Sequence, residues 1–370
     1  MNTFPKHLCL VISLCLATLG IAGTKNATGS AEAKPKSQIK KHPTALELLD
    51  KYAEIQDKLR SSFISKLEVS TKFEGVNRGR PSMKRGQVYE RNRKVELRSD
   101  GDRCYAYQKI WGRTSIGNTS EEEAYVGIKL WDDETLYHYG NSPLSRTNKN
   151  GTVTLSYPKN FNHMLWWQKA PGLTLRGYFP GVDERIDTEL RQATTISVQP
   201  QREDINGSQC YVINARTKSC EFRIWIDHEH DYNIAKAIVK RGWATWNRPE
   251  RRPKAPKGNA EVELRNVRFK KIDDVWLPVE ADYRREHEYV NGDYEKAYSH
   301  LKMTEFVMNP DHGTLGSFKQ DFIPNGARVR LAGVPGITYT WQDGKVVDEK
   351  GRLIMDRKPK NPKKSKDNTS

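Results

Sequence analysis

The chain has 370 residues, 36% of them hydrophobic, and a formal net charge of +16 at pH 7. A chain of that length and composition buries a core in one large domain or two ordinary ones, which excludes disorder throughout. The positive excess points to anionic partners without separating lipid head groups from acidic polysaccharide.

Residues 1–33 read as a cleaved signal peptide. Lys6 and His7 precede an apolar run from Leu8 to Ala22, which falls short of the roughly 20 apolar residues that span a bilayer. Ala31-Glu32-Ala33 supplies a small-x-small cleavage pattern, with Gly20-Ile21-Ala22 as a second cut. Cys15 follows Leu14, not the small residues of a lipid-attachment box. The expected product is therefore a soluble periplasmic or extracellular protein, with no nucleic-acid partner. Cys9 and Cys15 leave with the signal, while Cys104, Cys210 and Cys220 meet an oxidising compartment. Either two of these pair, or all three pack like small apolar residues.

Residues 34–42 form a basic linker with nothing to bury. A helix follows from Thr44 to Arg60, because Thr44 and Glu47 match a capping box and Leu48, Tyr52, Ile55 and Leu59 recur at helical spacing. It feeds a strand over 62–73, where Phe63, Leu67, Val69, Thr71 and Phe73 alternate with charged and polar residues. Met83–Arg91 and Lys94–Arg98 read as two strands around a turn at Asn92-Arg93, and Cys104–Trp111 as another. Val126–Tyr139 adds a strand pair around Asp132-Asp133-Glu134. Gly140–Pro158, rich in Asn, Ser, Thr and Gly, reads as a mobile loop. Short helices are expected over 160–169, stopped by Pro171-Gly172, and over 182–192.

The strongest strand signal runs from Cys210 to Arg241. Cys220, Phe222, Ile224 and Ile226 share one side of a strand and Glu221, Arg223 and Asp227 the other, as the period of two requires. Flanked by Cys210–Ala215 and Asn233–Arg241, this is a three-strand antiparallel meander. The prolines and cations of Trp243–Gly258 then forbid regular pairing and predict a long hairpin loop. Strands resume over 260–272 with a bulge near Asn266, over Val275–Tyr283, and over Ala297–Met308. Residues 309–356 form a small β appendage with an Asp343-Gly344 hairpin signal, and 357–370 a disordered basic tail.

The opening helix and strand (Thr44–Phe73), Gln87–Asn92 followed by Lys94–Arg98, Leu130–Tyr139, Phe222–Asp227 and Ile272–Glu280 together carry a resemblance. In layout, residues 43–308 resemble the periplasmic lipoprotein-sorting and lipid-carrier superfamily, the LolA-like fold. The resemblance implies an α+β protein: a curved antiparallel half-barrel sheet wrapped around an N-terminal helix and short helices, here with a small C-terminal β appendage. It implies an apolar concavity for a lipid or lipoprotein acyl chain, and no catalytic residue. Phe63, Leu67, Val69, Phe222, Ile224, Leu277 and Val279 would line that concavity, with Leu165, Trp166 and Trp167 as a lid. Ordinary core packing is the plain alternative for each.

No Gly-x-Ser-x-Gly elbow, His-Glu-x-x-His, phosphate loop or dinucleotide fingerprint occurs. Asp227, His228, Glu229, His230 and Asp231 bring metal-type donors together but lack further ligands nearby, so they read as a solvated turn. No cofactor, metal or enzyme activity is expected. Trp243 and Trp246 interleaved with Arg248, Arg251, Arg252 and Lys254 have the composition of an anionic-surface anchor. The expectation is an extracytoplasmic, non-catalytic carrier or sensor of acyl chains that approaches anionic membranes. The alternative is an envelope structural or sensory protein holding another protein or an acidic glycan through its basic surface.

Overall fold

The Thr44 side chain accepts from the Glu47 backbone N–H, and the Glu47 carboxylate accepts from the Thr44 N–H at 2.6 Å, so a closed capping box starts α1 (Ala45–Lys58). Its Leu48, Leu49 and Tyr52 are buried. The computed structural model describes residues 42–76, 87–114, 117–142, 149–157, 171–179, 182, 184–242 and 258–355. The expected signal peptide, most of the expected basic linker, the start of the strand expected from Met83, the helix expected over 160–169, the loop expected from Trp243 and the expected basic tail lie outside them.

The strands are β1 (Phe63–Val76), β2 (Val88–Ser99), β3 (Cys104–Thr114), β4 (Gly117–Thr119), β5 (Tyr125–Trp131), β6 (Leu136–Asn141) and β7 (Thr152–Ser156). A 3-10 helix (Pro171–Arg176) and α2 (Ile186–Arg191) follow. Then come β8 (Thr195–Val198), β9 (Glu203–Ile205), β10 (Ser208–Arg216), β11 (Cys220–Asp227), β12 (Asn233–Gly242), β13 (Gly258–Ile272), β14 (Val275–Tyr289) and β15 (Tyr294–Met308). The chain closes with β16 (Arg328–Leu331), β17 (Tyr339–Gln342), β18 (Lys345–Val347) and β19 (Leu353–Met355).

All the strands join one open, curved, mixed sheet, an α+β half-barrel that does not close on itself. From β1 in one direction the order is β15, β14, β13, β12, β11, β10, with β8 and β9 on the last edge. In the other it is β2, β3, β5, β6, β7, then β16 to β19. Only β7–β16 is parallel among the described pairings, because β16 reaches that edge from a distant part of the chain and no hairpin dictates its direction.

Two cores lie on opposite faces. On the inner face, α1, the 3-10 helix and α2 pack on β1, β2 and β10–β15. On the outer face, the C-terminal appendage covers β3 and β5–β7 through Phe318, Ile323, Val329, Trp341 and Val346. Alternation along β3 supplies both: Cys104 and Ala106 join the inner core, Tyr105 and Tyr107 the outer one.

Two expectations need correction. Asn92-Arg93 is not a turn, because β2 pairs without interruption from Val88 to Ser99 along β1. Nor is Gly140–Pro158 a loop throughout: β7 runs through it, and its Val153 and Leu155 are buried under the appendage. The Pro171-Gly172 pair opens a 3-10 helix, and the helix it is expected to stop lies outside the described residues. By contrast, the meander, the bulge at Asn266 (φ +52°) and the Asp343-Gly344 turn (φ +49° and +76°) fall where the sequence places them.

Candidate functional site

Phe63, Leu67, Val69, Phe222, Ile224 and Leu277 are all buried in one inner-face cluster, against which Val279 packs. The sequence-derived lining set is thus brought together, but as the floor on which Leu48, Leu49 and Tyr52 of α1 rest. Leu165, Trp166 and Trp167 lie outside the described residues, as do Trp243, Trp246, Arg248, Arg251, Arg252 and Lys254.

Further along the same strands, the inner face changes character. β2 keeps its parity, so Arg93, Arg91 and Tyr89 follow buried Val95 and Leu97 on the inner side. By the same rule Tyr283, Arg285 and His287 follow Ala281 on β14. Between these strands lie Thr71 and Phe73 on β1, and Ser299 and Ala297 on β15. These intervening residues are mostly small, which leaves long side chains room to reach over the sheet.

Arg93 sits immediately beside the apolar floor, opposite Val69 on one side and Ile110 on the other. Its Nε is shut away from solvent with no partner. Burial, then the Arg91 and Arg285 guanidinium groups, pull Arg93 down to about 10. The Arg91 guanidinium lies 5.1 Å from the centre of the Phe73 ring, which itself stacks on Tyr89 at 5.6 Å. Thr71 and Ser299 hydroxyls meet at 2.9 Å. The Tyr283 hydroxyl is buried without a partner, and burial raises its pKa. Glu295, opposite His287, is the acid at the far end of this face.

The outer face of the same strands is arranged differently. Arg284, one residue from Arg285, meets Glu261 at 2.7 Å, Glu263 at 3.1 Å and Glu286 at 3.5 Å. Lys236, Lys240, Lys66 and Arg268 each face a carboxylate as well. These five cations are matched. At the strand ends, an open cavity of about 670 Å³ is rimmed by Arg216, Lys218, Lys240 and Arg241 together with Glu221, Glu261, Glu286 and Glu288.

The Asp227–Asp231 run is a structured turn. Asp227 is buried, accepts from the Glu229 N–H at 3.0 Å and pairs with His230 Nδ1 at 2.7 Å. The His230 ring stacks on Phe269 at 4.6 Å, and Asn233 ties the turn to buried Gln56 of α1 at 2.9 Å. Among the described residues no group of three or more His, Cys, Asp or Glu side chains converges as metal ligands. The three cysteines among the described residues, Cys104, Cys210 and Cys220, are buried. Cys210 joins a small outer-face cluster while Cys220 and Cys104 join the inner core, so Cys210 cannot bridge either across the sheet.

Sequence reasoning missed Arg91, Arg93, Tyr283 and Arg285. Their signal was parity: each shares the odd-numbered face of its strand with buried residues, and the imagined turn at Asn92-Arg93 hid it on β2.

No family model matches the chain, and no curated protein does. Among solved structures it is similar to a Pseudomonas aeruginosa MucA/MucB complex at 9% identity, covering 74% of this chain and 96% of that one with a TM-score of 0.23. A structure of MucB in complex with MucA(peri) gives 8% identity, coverage of 70% and 93%, and a TM-score of 0.21. The ywiB protein of Bacillus subtilis gives 5%, 67% and 97%, and 0.17. At such TM-scores these likenesses carry no argument about this chain. No helix among the described residues is long and apolar enough to cross a membrane.

Proposed function

We propose that the chain is an extracytoplasmic, non-catalytic binding protein that carries or senses a lipid or lipoprotein by holding an acyl chain against the inner face of its half-barrel. The division of that face is the supporting observation. Beneath α1 it is a filled apolar core, whereas Thr71, Phe73, Ile110 and Tyr283 remain half-buried along its continuation. A half-buried surface of rings and alkyl groups beside polar anchors is where apolar guests bind. The net charge of +16 biases such a carrier toward anionic membranes.

The test is organic extraction of protein purified from an exporting host, with acyl chains sought by mass spectrometry and a fluorescent fatty acid titrated into the stripped protein. Co-purified acyl species and saturable binding are expected. A clean extract together with no probe binding overturns the proposal.

The composition of residues 243–257 favours a second reading, in which the basic surface holds another envelope protein or an acidic glycan. Reversing Arg251 and Arg252 to Glu then abolishes partner binding. Under the carrier reading it only weakens binding to anionic vesicles, and more at low salt than at high.

A further inference from the structure

We propose that the groove between β8 and the start of α1 receives the C-terminal end of another protein as an added strand, with its free carboxylate seated at Arg202. The acyl-chain reading concerns a different part of the molecule, the inner face along β1, β2, β14 and β15, and stands or falls separately. Three observations carry the proposal.

First, β8 has an open edge. Thr195–Val198 pair with β10, and the Gln199 N–H bonds the Val212 carbonyl at 2.8 Å. Backbone groups of an antiparallel strand alternate in direction, so those of Ile196 and Val198 point away from β10. Among the described residues no other strand takes them up, and such an edge is a template for a further strand. Second, that edge borders a cavity. About 480 Å³ lie between residues 196–200 and residues 42–46, so the space follows the strand, and its volume suits a bound segment. Pro43, Ile196, Val198 and half-exposed Leu46 give it apolar walls. Third, donors without an acid stand where β8 ends. The Arg202 guanidinium lies 4.3 Å from the centre of the Tyr211 ring, donates to the Tyr211 hydroxyl, and donates to His228 Nε2 at 3.3 Å. Arginine cannot accept, so His228 carries its proton on Nδ1, which is shut away from solvent with no partner. Among the described residues no carboxylate pairs with Arg202, whereas Arg191 of α2 and Arg223 of β11 meet Asp50 and Glu203 at 2.6 Å each. His42, which lines the cavity, stands edge-on to Tyr211 at 6.2 Å, and so joins the groove to the cation. A guanidinium fork held flat on a ring, with N–H groups still to give, matches a carboxylate. Because Arg202 follows β8 in the chain, a strand whose carboxyl end reaches it runs parallel to β8.

The experiment titrates the full chain by calorimetry with an acetylated hexapeptide of alternating threonine and valine that ends in a valine carboxylate, and with its C-terminal amide. Two further forms of the acid peptide are N-methylated at every second residue, one in each phase of the alternation. The variants are Arg202→Met, Val198→Pro and, as a control already paired with an acid, Arg191→Met. The acid peptide should bind roughly tenfold or more tightly than the amide, the equivalent of one charge-assisted hydrogen bond. Arg202→Met should erase that difference and leave the affinity of the amide as it was, while Arg191→Met should behave as the parent. Val198→Pro removes one outward N–H and spares the Gln199 bond to β10, so it should weaken acid and amide alike. Of the two methylated peptides, the one blocked on the β8 side should lose binding and the other keep it, which carries the same reading if Val198→Pro does not fold. Equal affinity of acid and amide, or a difference that survives Arg202→Met, overturns the carboxylate seat. Equal behaviour of the two methylated forms overturns strand addition, and no binding by any peptide overturns both.

Discussion

Arg176 and Gly177 tie the inner core together through a pair of adjacent constraints. The Arg176 guanidinium is buried 4.4 Å from the centre of the Phe63 ring and donates to the Leu59 carbonyl at 2.6 Å, where α1 ends with unsatisfied acceptors. Burial and then Arg60 pull it down to about 10. Gly177 adopts φ +79°, and a Cβ there would fall 2.1 Å from Tyr52 Oη and 3.0 Å from Ile186 Cγ2. Backbone strain and overlap therefore act together. Gly177→Ala is expected to destabilise the protein by about 2–4 kcal/mol, read as a lowered urea midpoint with an unchanged slope. A midpoint within error of the parent would mean that Tyr52 has room to move, contrary to its burial. Nothing in the sequence announces this pair, because Pro171-Gly172 reads as a stop and the segment has no periodicity of its own. Arg93 differs, since its parity with Val95 and Leu97 was there to read, but with Glu90, Asn92 and Lys94 on one side and Tyr89 and Arg91 on the other its own half-strand, taken alone, has no face apolar enough to show which one turns inward.

At the level of elements, the sequence was legible where hydrophobic alternation is clean and turn residues are explicit. The meander from Ser208 to Gly242, α1 with its capping box and the bulge at Asn266 all meet that condition. It was opaque where pairing comes from afar. β7 is short and made of Thr, Val, Leu and Ser, and its place is set by β6 and by β16, which arrives from residue 328 onward. The appendage is attached chiefly by burial: Trp341 is 5% exposed and meets Tyr137 edge-on at 6.4 Å. His312 Nε2 also donates to the Ser99 carbonyl at 2.7 Å, and Arg98 to the Ser317 carbonyl at 3.2 Å. Trp341→Ala is expected to cost about 3–5 kcal/mol. Amide protection should fall first in β7 and β16–β18, while the meander keeps its own. Uniform loss across the sheet would instead make the appendage part of one cooperative unit with the inner core.

For the whole molecule, the two faces predict an asymmetric response to pH. Burial pushes Cys210 up to about 12 and Tyr105 to about 12, and raises Tyr52, Tyr178 and Tyr283 as well. In the unfolded chain a thiol ionises near ~8.5 and a phenol near ~10. Between those values and the folded ones, the unfolded state has released protons that the native state still holds, so stability must fall as pH rises. The contribution is complete below pH ~8.5 and is lost progressively as pH climbs through the folded values. Arg93 and Arg176 act in the opposite sense. Their folded values are depressed to about 10, so above that point the unfolded chain holds the extra proton, and their unfavourable burial is relieved. The buried thiol and phenols outnumber those two arginines, and the thiol begins to count at lower pH. The melting temperature should therefore decline steadily from pH 8.5 to 11, while Arg93→Met steepens the fall by removing one opposing group. A flat profile over that range would show that water reaches these side chains in the native state. It would thereby sink the claim that these groups are held away from water in the folded protein.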